Sequence, residues 1–491
     1  MPGEEELIAQ RRQKLERIRA RGVDPYPART SRTHTAAEAK HAFEECERAG
    51  GTGDAPGVTV AGRITALRTM GKAAFADIRD GSDRIQLHFK RDVLGDGYEA
   101  LGDLDLGDFI AASGPLFRTK TSEITVEVHQ FQVLAKALRP PPEKWHGIED
   151  VELRYRQRYL DLMANEHVRA LFRTRAAVVA AMRRFLDARG FMEVETPVLQ
   201  PEAGGAAATP FVTHHRALDQ DFYLRISLEL HLKRLVIGGY DRVYEIGRIF
   251  RNEGVSWKYN PEFTMLESYE AYADYHDVAR MVETMIPQIA REVGASGVRF
   301  GDHEIDLTPP WRRVTMRDAL IEHAGIDFEE FRTREALLAE LQRRNLEVDP
   351  GWSWGKLLDE AVSHYVEPKL IQPTFLMDYP EEISPLAKKK AGEPGIVERF
   401  EVFIGGFEIG NAYSELNDPV DQRERFERQA RLAAAGLEEV ETLDEDFLTA
   451  LEHGMPPTGG LGIGIDRLVM VLTGNTSIRE VILFPALRRR E

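Results

Sequence analysis

The chain of 491 residues is long enough for about two to four domains, and its 43% hydrophobic and 30% charged residues are the balance of an ordinary soluble globular protein. No apolar run reaches the length of a membrane span, Met1 to Glu6 is too polar for a signal peptide, and the single Cys46 excludes a disulfide framework or a multi-cysteine zinc site, so a cytoplasmic protein is expected. A formal net charge of −17 excludes a globally basic nucleic-acid binder but not a local binding face, because binding depends on where the charge sits.

Residues 4–49 read as two polar helices interrupted at Gly22-Val23-Asp24-Pro25. The first crowds Arg11, Arg12, Lys14, Arg17, Arg19 and Arg21 together, but Glu4, Glu5, Glu6 and Glu16 accompany them and favour a solvated face over a nucleic-acid contact. From Val58 onward the pattern turns to short β runs at 58–64, 74–79, 84–89, 108–114 and 124–133, with Gly, Asp and Ser between them. Five such strands point to a small barrel of the OB type at 55–138, a fold that often binds single-stranded nucleic acid. Arg139-Pro140-Pro141-Pro142 then opens a stiff linker, 139–150.

Beyond it, 168–189 predicts one long helix with an apolar stripe, closed by Gly190. The rest mixes strands and helices without regular alternation, and neither a P-loop nor a dinucleotide glycine motif is present. Residues 274–370 read as mostly helical, broken at Pro309-Pro310 and Pro350, and the stretch 329–370 has no legible role.

Three clusters hold the residue types that chemistry needs. In the first, Arg251 and Glu253 follow a β run, and Phe263, Met265, Glu267 and Tyr269 share strand parity, so paired strands would present a guanidinium, an aromatic ring and carboxylates on one surface. Arg provides a planar fork for phosphate or carboxylate. An ordinary hairpin with surface ion pairs has the same residues. In the second, Gly405-Gly406 predicts a two-residue hairpin turn with Glu408 opposite Phe403 and diagonal to Glu401, a carboxylate pair suited to Mg²⁺ on phosphate oxygens. Asn411, Tyr413 and Glu415 have the opposite parity, so a bulge or bend near Gly410 is required if all face one pocket. In the third, Gly459, Gly460, Gly462 and Gly464 precede an apolar helix with Arg467 in its first turn. A cation is unfavourable there, which suggests an anionic ligand.

In order, these segments resemble the signature motifs of class II aminoacyl-tRNA synthetases. Gly190 to Pro197 is similar to motif 1, Phe250-Arg251-Asn252-Glu253 with the following strand to motif 2, and Gly462 to Arg467 to motif 3. The resemblance implies an α+β catalytic domain at 151–491, an antiparallel sheet flanked by helices with a mostly helical insertion at about 274–370, and a homodimer through the motif 1 region. An N-terminal OB barrel marks the subclass that charges lysine, aspartate or asparagine. Thr213-His214-His215, Ser384 to Ala387 and Gly410 to Pro419 resemble the bacterial lysine-charging family in particular, as do Lys72 to Ala76 and Arg84 to Leu87 in the barrel.

That family activates L-lysine with ATP and Mg²⁺ to lysyl-adenylate and transfers it to the 3′-end ribose of tRNA(Lys). Carried over, Arg251 holds the lysine carboxylate and α-phosphate, and Glu253 reads the adenine amino group between Phe263 and Arg467, with Gly464 beside the nucleotide. Glu401 and Glu408 hold Mg²⁺. Gly205 and Glu229 take the α-ammonium, Asn411 the carboxylate, and Glu267, Tyr269 and Glu415 the ε-ammonium, with Tyr413 in the same lysine site. Phe75 stacks an anticodon base, with Arg63, Gln86 and Glu123 as edge readers. An aspartate enzyme would need cations where these carboxylates stand.

The sequence departs from the pattern at Ala206 to Phe211, where the family has Arg, at Arg216, usually Asn, and at Tyr259, often His. His214 and His215 have no third ligand suitably spaced, so no zinc is expected. The alternatives are an aspartyl or asparaginyl enzyme, a protein-lysylating paralogue (those relatives lack the barrel), and a binding module without catalysis.

Overall fold

The computed structural model describes residues 3–50, 56–142, 148–206, 208–295, 297–434 and 444–488, so part of the expected linker, 143–147, lies outside the described residues. The chain divides into two compact units, Met1–Glu149 and Asp150–Glu491.

In the first unit, helices α1 (Glu4–Ala20) and α2 (Ala36–Arg48) are separated by a connection wider than the expected Gly22–Pro25 break. Thr35 opens α2 with a capping box completed by Glu38. The bases of α1 and its C-cap Arg21 are in part the solvated face expected of them, with Arg12, Arg17, Arg19 and Arg21 exposed, but several also have partners elsewhere in the unit. Arg17 and Arg21 pair with Asp103, Lys14 with Asp105, and Arg11 donates to the carbonyls of Ala137 and Arg139, so they fasten the helix to its own unit.

Strands β1 (Gly57–Met70), β2 (Ala73–Arg79), β3 (Arg84–Lys90), β4 (Phe109–Arg118), β5 (Ile124–Val128) and β6 (Gln130–Ala135) follow in the order β1-β2-β3-β5-β4-β6. Pairing of β1 with β4 closes the barrel. The expected run 124–133 is two strands, because β4 changes partner along its length: β6 pairs with 109–113 and β5 with 116–118. Gly114 sits at the change, where a β-carbon would come within 1.8 Å of the Glu127 carbonyl oxygen. Alternation on β3 buries Ile85, Leu87 and Phe89 and turns Arg84, Gln86 and His88 outward.

In the second unit, the elements that place the site are α3 (Glu166–Asp187), β7 (Met192–Glu193), α4 (Glu229–Ile237), β8 (Arg242–Phe250), β9 (Glu262–Ala271), α5 (Tyr275–Glu292), β10 (Arg312–Thr315), α6 (Trp354–Tyr365), β11 (Thr374–Pro380), β12 (Ile396–Ile404), β13 (Phe407–Ser414), α7 (Pro419–Ala434), α8 (Glu445–Glu452), β14 (Thr458–Gly464) and α9 (Ile465–Thr473). Eight strands form one sheet in the order β10-β11-β12-β13-β14-β9-β8-β7, antiparallel except for the two edge pairings.

One face of this sheet, with Leu266, Phe400, Val402, Ile409, Leu461 and Ile463, is buried under α3, α5 and α9. The helical stripe Val178, Met182, Phe185, Leu186 on α3 matches that face, with Phe185 and Leu186 three and four residues after Met182. The segment expected to be mostly helical begins with α5, which belongs to this main core, while helices 316–324, 334–343 and α6 pack with β11 into a core of their own. The opposite face of the sheet is left open over β13, β14 and β9, and it is the floor of the site.

Candidate active site

The floor follows from alternation on β14. In Thr458-Gly459-Gly460-Leu461-Gly462-Ile463-Gly464, Leu461 and Ile463 point into the core, so Gly460, Gly462 and Gly464 leave the open face bare. On one side β9 sets Tyr269, Glu267 and Met265 against these three glycines, and on the other β13 sets Tyr413 against Gly460 and Asn411 against Gly462. The bareness is required: a β-carbon at Gly460 would lie 1.8 Å from Glu415 Oε1 and 2.7 Å from the Tyr269 ring.

The hairpin β12–β13 turns at Gly405-Gly406, both with positive φ, and Phe403 faces Glu408 as the two-residue turn requires. A register shift follows at once: Val402 pairs with Gly410 and Glu401 with Asn411, leaving Ile409 as the extra residue. This bulge brings Glu408, Asn411, Tyr413 and Glu415 to one side despite their opposed parity.

A cavity of about 620 Å³ stands over the floor. It gathers Gly205, Glu229, Arg251, Glu253, Phe263, Glu267, Tyr269, Glu401, Glu408, Asn411, Tyr413, Glu415, Gly464 and Arg467 from segments more than 200 residues apart. Arg251 lies past the end of β8 with its guanidinium 5.3 Å from the Phe263 ring centroid, and its Nε donates to the Ile226 carbonyl at 3.4 Å. Arg467 donates to the Glu408 carboxylate and carbonyl oxygen, both at 2.9 Å. A resident carboxylate thus accounts for the cation in the first turn of α9, and that argument for a bound anion falls.

At the acidic end, Glu267 accepts from Ser227 Oγ at 3.2 Å, Leu228 N at 3.0 Å and Tyr269 Oη at 3.0 Å. Burial, with Glu229 adding like charge, nevertheless pushes its pKa up to about 7. Glu415 is buried too, and desolvation with the like charge of Glu229 and Glu267 pushes it up to about 8 against the pull of Lys233. Both of its oxygens are buried without a hydrogen bond; Oε2 is in ionic contact with Lys233, and Oε1 has no such partner.

Sequence reading missed several functional neighbours. Buried Arg399 donates to Glu401 Oε1 at 2.6 Å and to Asn411 Oδ1 at 3.1 Å. Because Arg has donors only, it fixes the amide orientation, and Asn411 Nδ2 donates to Tyr413 Oη at 2.6 Å. Its only sequence signal is the two-residue spacing from Glu401 on one strand face. Gly355, Lys356 and Asp359 of α6 also line the cavity, a role for a stretch that had none.

Glu401 accepts from Tyr379 Oη at 3.0 Å as well as from Arg399, and burial, reinforced by Glu408 and Asp359, raises it to about 7. Each carboxylate already has an arginine partner, Arg399 for Glu401 and Arg467 for Glu408, so a divalent cation there would share them with these guanidiniums. Among the described residues no group of three or more His, Cys, Asp or Glu could hold a metal, so a cation on this pair alone would need water and phosphate to complete its shell, as Mg²⁺ commonly does.

On the barrel, Phe75 stacks on His88 with centroids 4.3 Å apart, and Phe117 lies 5.9 Å from His88. Gln86 accepts from Thr125 Oγ1 at 3.0 Å on the same outward face, and Arg84 links Asp77 to Glu123 beside it. Arg63 is apart from these: it is across from Arg79, about 13 Å along β2 from Phe75, and it covers the Phe109 ring. His214 pairs with Asp221 on an exposed hairpin strand, Val212–His215.

Comparison with known proteins agrees with the motif resemblance. The description for class II tRNA synthetases (D, K and N) matches residues 150–488, and that for an OB-fold nucleic acid binding domain matches 58–134. A lysine–tRNA ligase of Dehalococcoides mccartyi is 58% identical over 99% of this chain and 98% of that protein. Those of Moorella thermoacetica and Chloroflexus aurantiacus are 53% and 54% identical, each over at least 99% of both chains. The chain belongs to the class II tRNA synthetases of the D, K and N group.

Proposed function

We propose that this chain is a lysine–tRNA ligase, which activates L-lysine with ATP and transfers it to the 3′-end ribose of tRNA(Lys). The observation that supports lysine over the other two amino acids of the group is the acidic end of the cavity: Glu229, Glu267 and Glu415 around Tyr269, with Glu415 Oε1 unpartnered. A buried ammonium needs hydrogen-bonded opposite charge, and a neutral side chain there would leave these acids without it, at several kcal/mol.

In this reading the lysine carboxylate attacks the α-phosphorus of ATP and pyrophosphate leaves; the ribose hydroxyl of the tRNA then attacks the lysyl carbonyl and AMP leaves. No protein nucleophile takes part. Arg251 meets the lysine carboxylate and α-phosphate and stabilises charge that builds on phosphorus. Asn411, oriented by Arg399, binds the same carboxylate, and Gly205 with Glu229 takes the α-ammonium. Glu253, Phe263, Gly464 and Arg467 receive the nucleotide. Glu401 and Glu408 would hold Mg²⁺, which supplies neutralising charge to the β- and γ-phosphates. Positioning does the rest.

Phe75, Gln86 and Glu123 form the barrel face proposed for an anticodon base, where stacking on an aromatic ring is the sequence-tolerant part of the contact. Arg63 belongs to the same reading as a contact at the far end of that face. Among the described residues no helix is long and apolar enough to cross a membrane. A homodimer through 190–197 and a cytoplasmic location complete the proposal.

Lysine binding is expected to be proton-linked. Glu267 and Glu415 sit at about 7 and about 8 in the free protein, so they hold protons near neutrality that an arriving ammonium must displace. Affinity for lysine is therefore expected to rise from pH 6 to pH 8, with about one proton released at pH 7. Calorimetric titration in buffers of different ionisation enthalpy measures this directly. Binding of aspartate or asparagine in preference to lysine, or lysine affinity that falls with pH, would sink the reading.

A further inference from the structure

Behind the acidic end of the cavity stands Lys233, fully buried on α4. One helical turn separates it from Glu229, which brings its Nζ to 2.6 Å from Glu229 Oε1 and into contact with Glu415 Oε2. The Phe447 ring of α8 lies 5.9 Å from Nζ and closes the other side.

The charged neighbours on each packed element are accounted for. On α4, Arg234 turns to Asp444 and Asp446, and on β8 Glu245 is taken by Arg225 at 2.6 Å. On β9, Glu267 takes its hydrogen bonds from Ser227, Leu228 and Tyr269. Beyond β13, Glu415 approaches it closest at Oε2, and on β13 Tyr413 is occupied by Asn411. Lys233 therefore answers to two carboxylates, Glu229 and Glu415.

An ammonium is a compact point charge with three donors, and here it donates to Glu229 Oε1 and lies closest to Oε2 of Glu415. What remains is oriented. Glu415 Oε1, buried and unpartnered, lies against the bare face of Gly460. Charge is matched as well: once the arriving substrate has displaced the protons of Glu267 and Glu415, three carboxylates and one resident cation leave two negative charges for its two ammonium groups.

We propose that Lys233 is a specificity-determining positioning residue, a resident cation that turns Glu229 and Glu415 so that their free oxygens receive the two ammonium groups of the substrate. This rests on the lysine-activating reading. Without Lys233, which pulls the Glu415 pKa down, the crowded carboxylates would hold their protons to higher pH than they do with it, and Glu415 would lose the contact that aims it.

The test is lysine-dependent ATP–pyrophosphate exchange across pH 6 to 9 for the full chain, its Lys233→Met variant and its Lys233→Arg variant. Wild-type exchange with lysine comes first, since its absence would sink the functional reading rather than the role of Lys233. For Lys233→Met, kcat/KM for lysine is expected to fall about 100-fold at pH 7 and its acid limb to move up by about one pH unit, while KM for ATP stays within about threefold. Lys233→Arg restores the charge, so its acid limb is expected at the wild-type position even where the rate is lower. A Lys233→Met profile superimposable on the wild type, or a parallel fall in lysine and ATP parameters with no movement of the limb, overturns the proposal. If Lys233→Met does not fold, the Arg variant decides: an acid limb at the wild-type position supports the role, and a displaced one overturns it.

Discussion

Replacing Gly460 by alanine is expected to lower kcat/KM for lysine by about 10³-fold while the protein remains folded and KM for ATP changes little. The added methyl would fall 1.8 Å from Glu415 Oε1 and 2.7 Å from the Tyr269 ring, both far inside contact distance. The strand cannot step aside, because β14 is hydrogen-bonded to β9 on one edge and β13 on the other. Glu415 must therefore rotate, and the ε-ammonium loses its free oxygen. Overpacking of this kind costs about 1–3 kcal/mol of folding stability, and loss of one partner of a buried charge costs about 3–5 kcal/mol. Of these only the charge loss enters kcat/KM, and about 4 kcal/mol of it corresponds to about three decades at 1.4 kcal/mol each. Steady-state exchange with a melting curve measures both halves. An unchanged KM for lysine would mean that the ammonium does not sit over Gly460.

Arg251→Lys is expected to reduce kcat for exchange by about 10²-fold to 10³-fold, the range found when one preorganised donor to a developing charge is removed. The substitution keeps the positive charge and removes the planar fork, so it separates geometry from net charge. Because the interaction strengthens only as charge builds on phosphorus, the loss should appear in kcat with KM for ATP nearly unaltered. A loss confined to KM would instead place Arg251 in ground-state binding alone.

What could be read from residues alone was local pattern. The Gly405-Gly406 turn and the alternation of β9 follow from strand period and turn chemistry, and the need for a bulge near Gly410 followed from the opposed parity of Glu408 and Asn411. The bulge itself falls at Ile409, which no side chain marks. The break between β5 and β6 at His129 was invisible in the continuous β run 124–133, since it comes from β4 exchanging partners around the barrel. Likewise, the bases of α1 looked solvated because their acids, Asp103 and Asp105, lie more than 80 residues away. Lys233 and Arg399 went unread for the opposite reason. Each is an ordinary cation in sequence: its spacing to Glu229 or Glu401 is local, but only the fold adds burial and the second partner, Glu415 or Asn411.

The electrostatics of the cavity divide into two halves. Arg251, Arg467 and the carboxylates Glu401 and Glu408 surround the space proposed for a nucleotide, whereas Glu229, Glu267 and Glu415 close the other end. Arg399 ties them together, since it bonds a carboxylate of the first half and the amide that borders the second.

The most direct test of this account is ATP–pyrophosphate exchange, without tRNA, in the presence of each of the twenty amino acids in turn. The acidic end of the cavity predicts exchange stimulated by lysine and by none of the other nineteen at comparable concentration. Exchange driven by aspartate or asparagine, or no exchange with any amino acid, would contradict it.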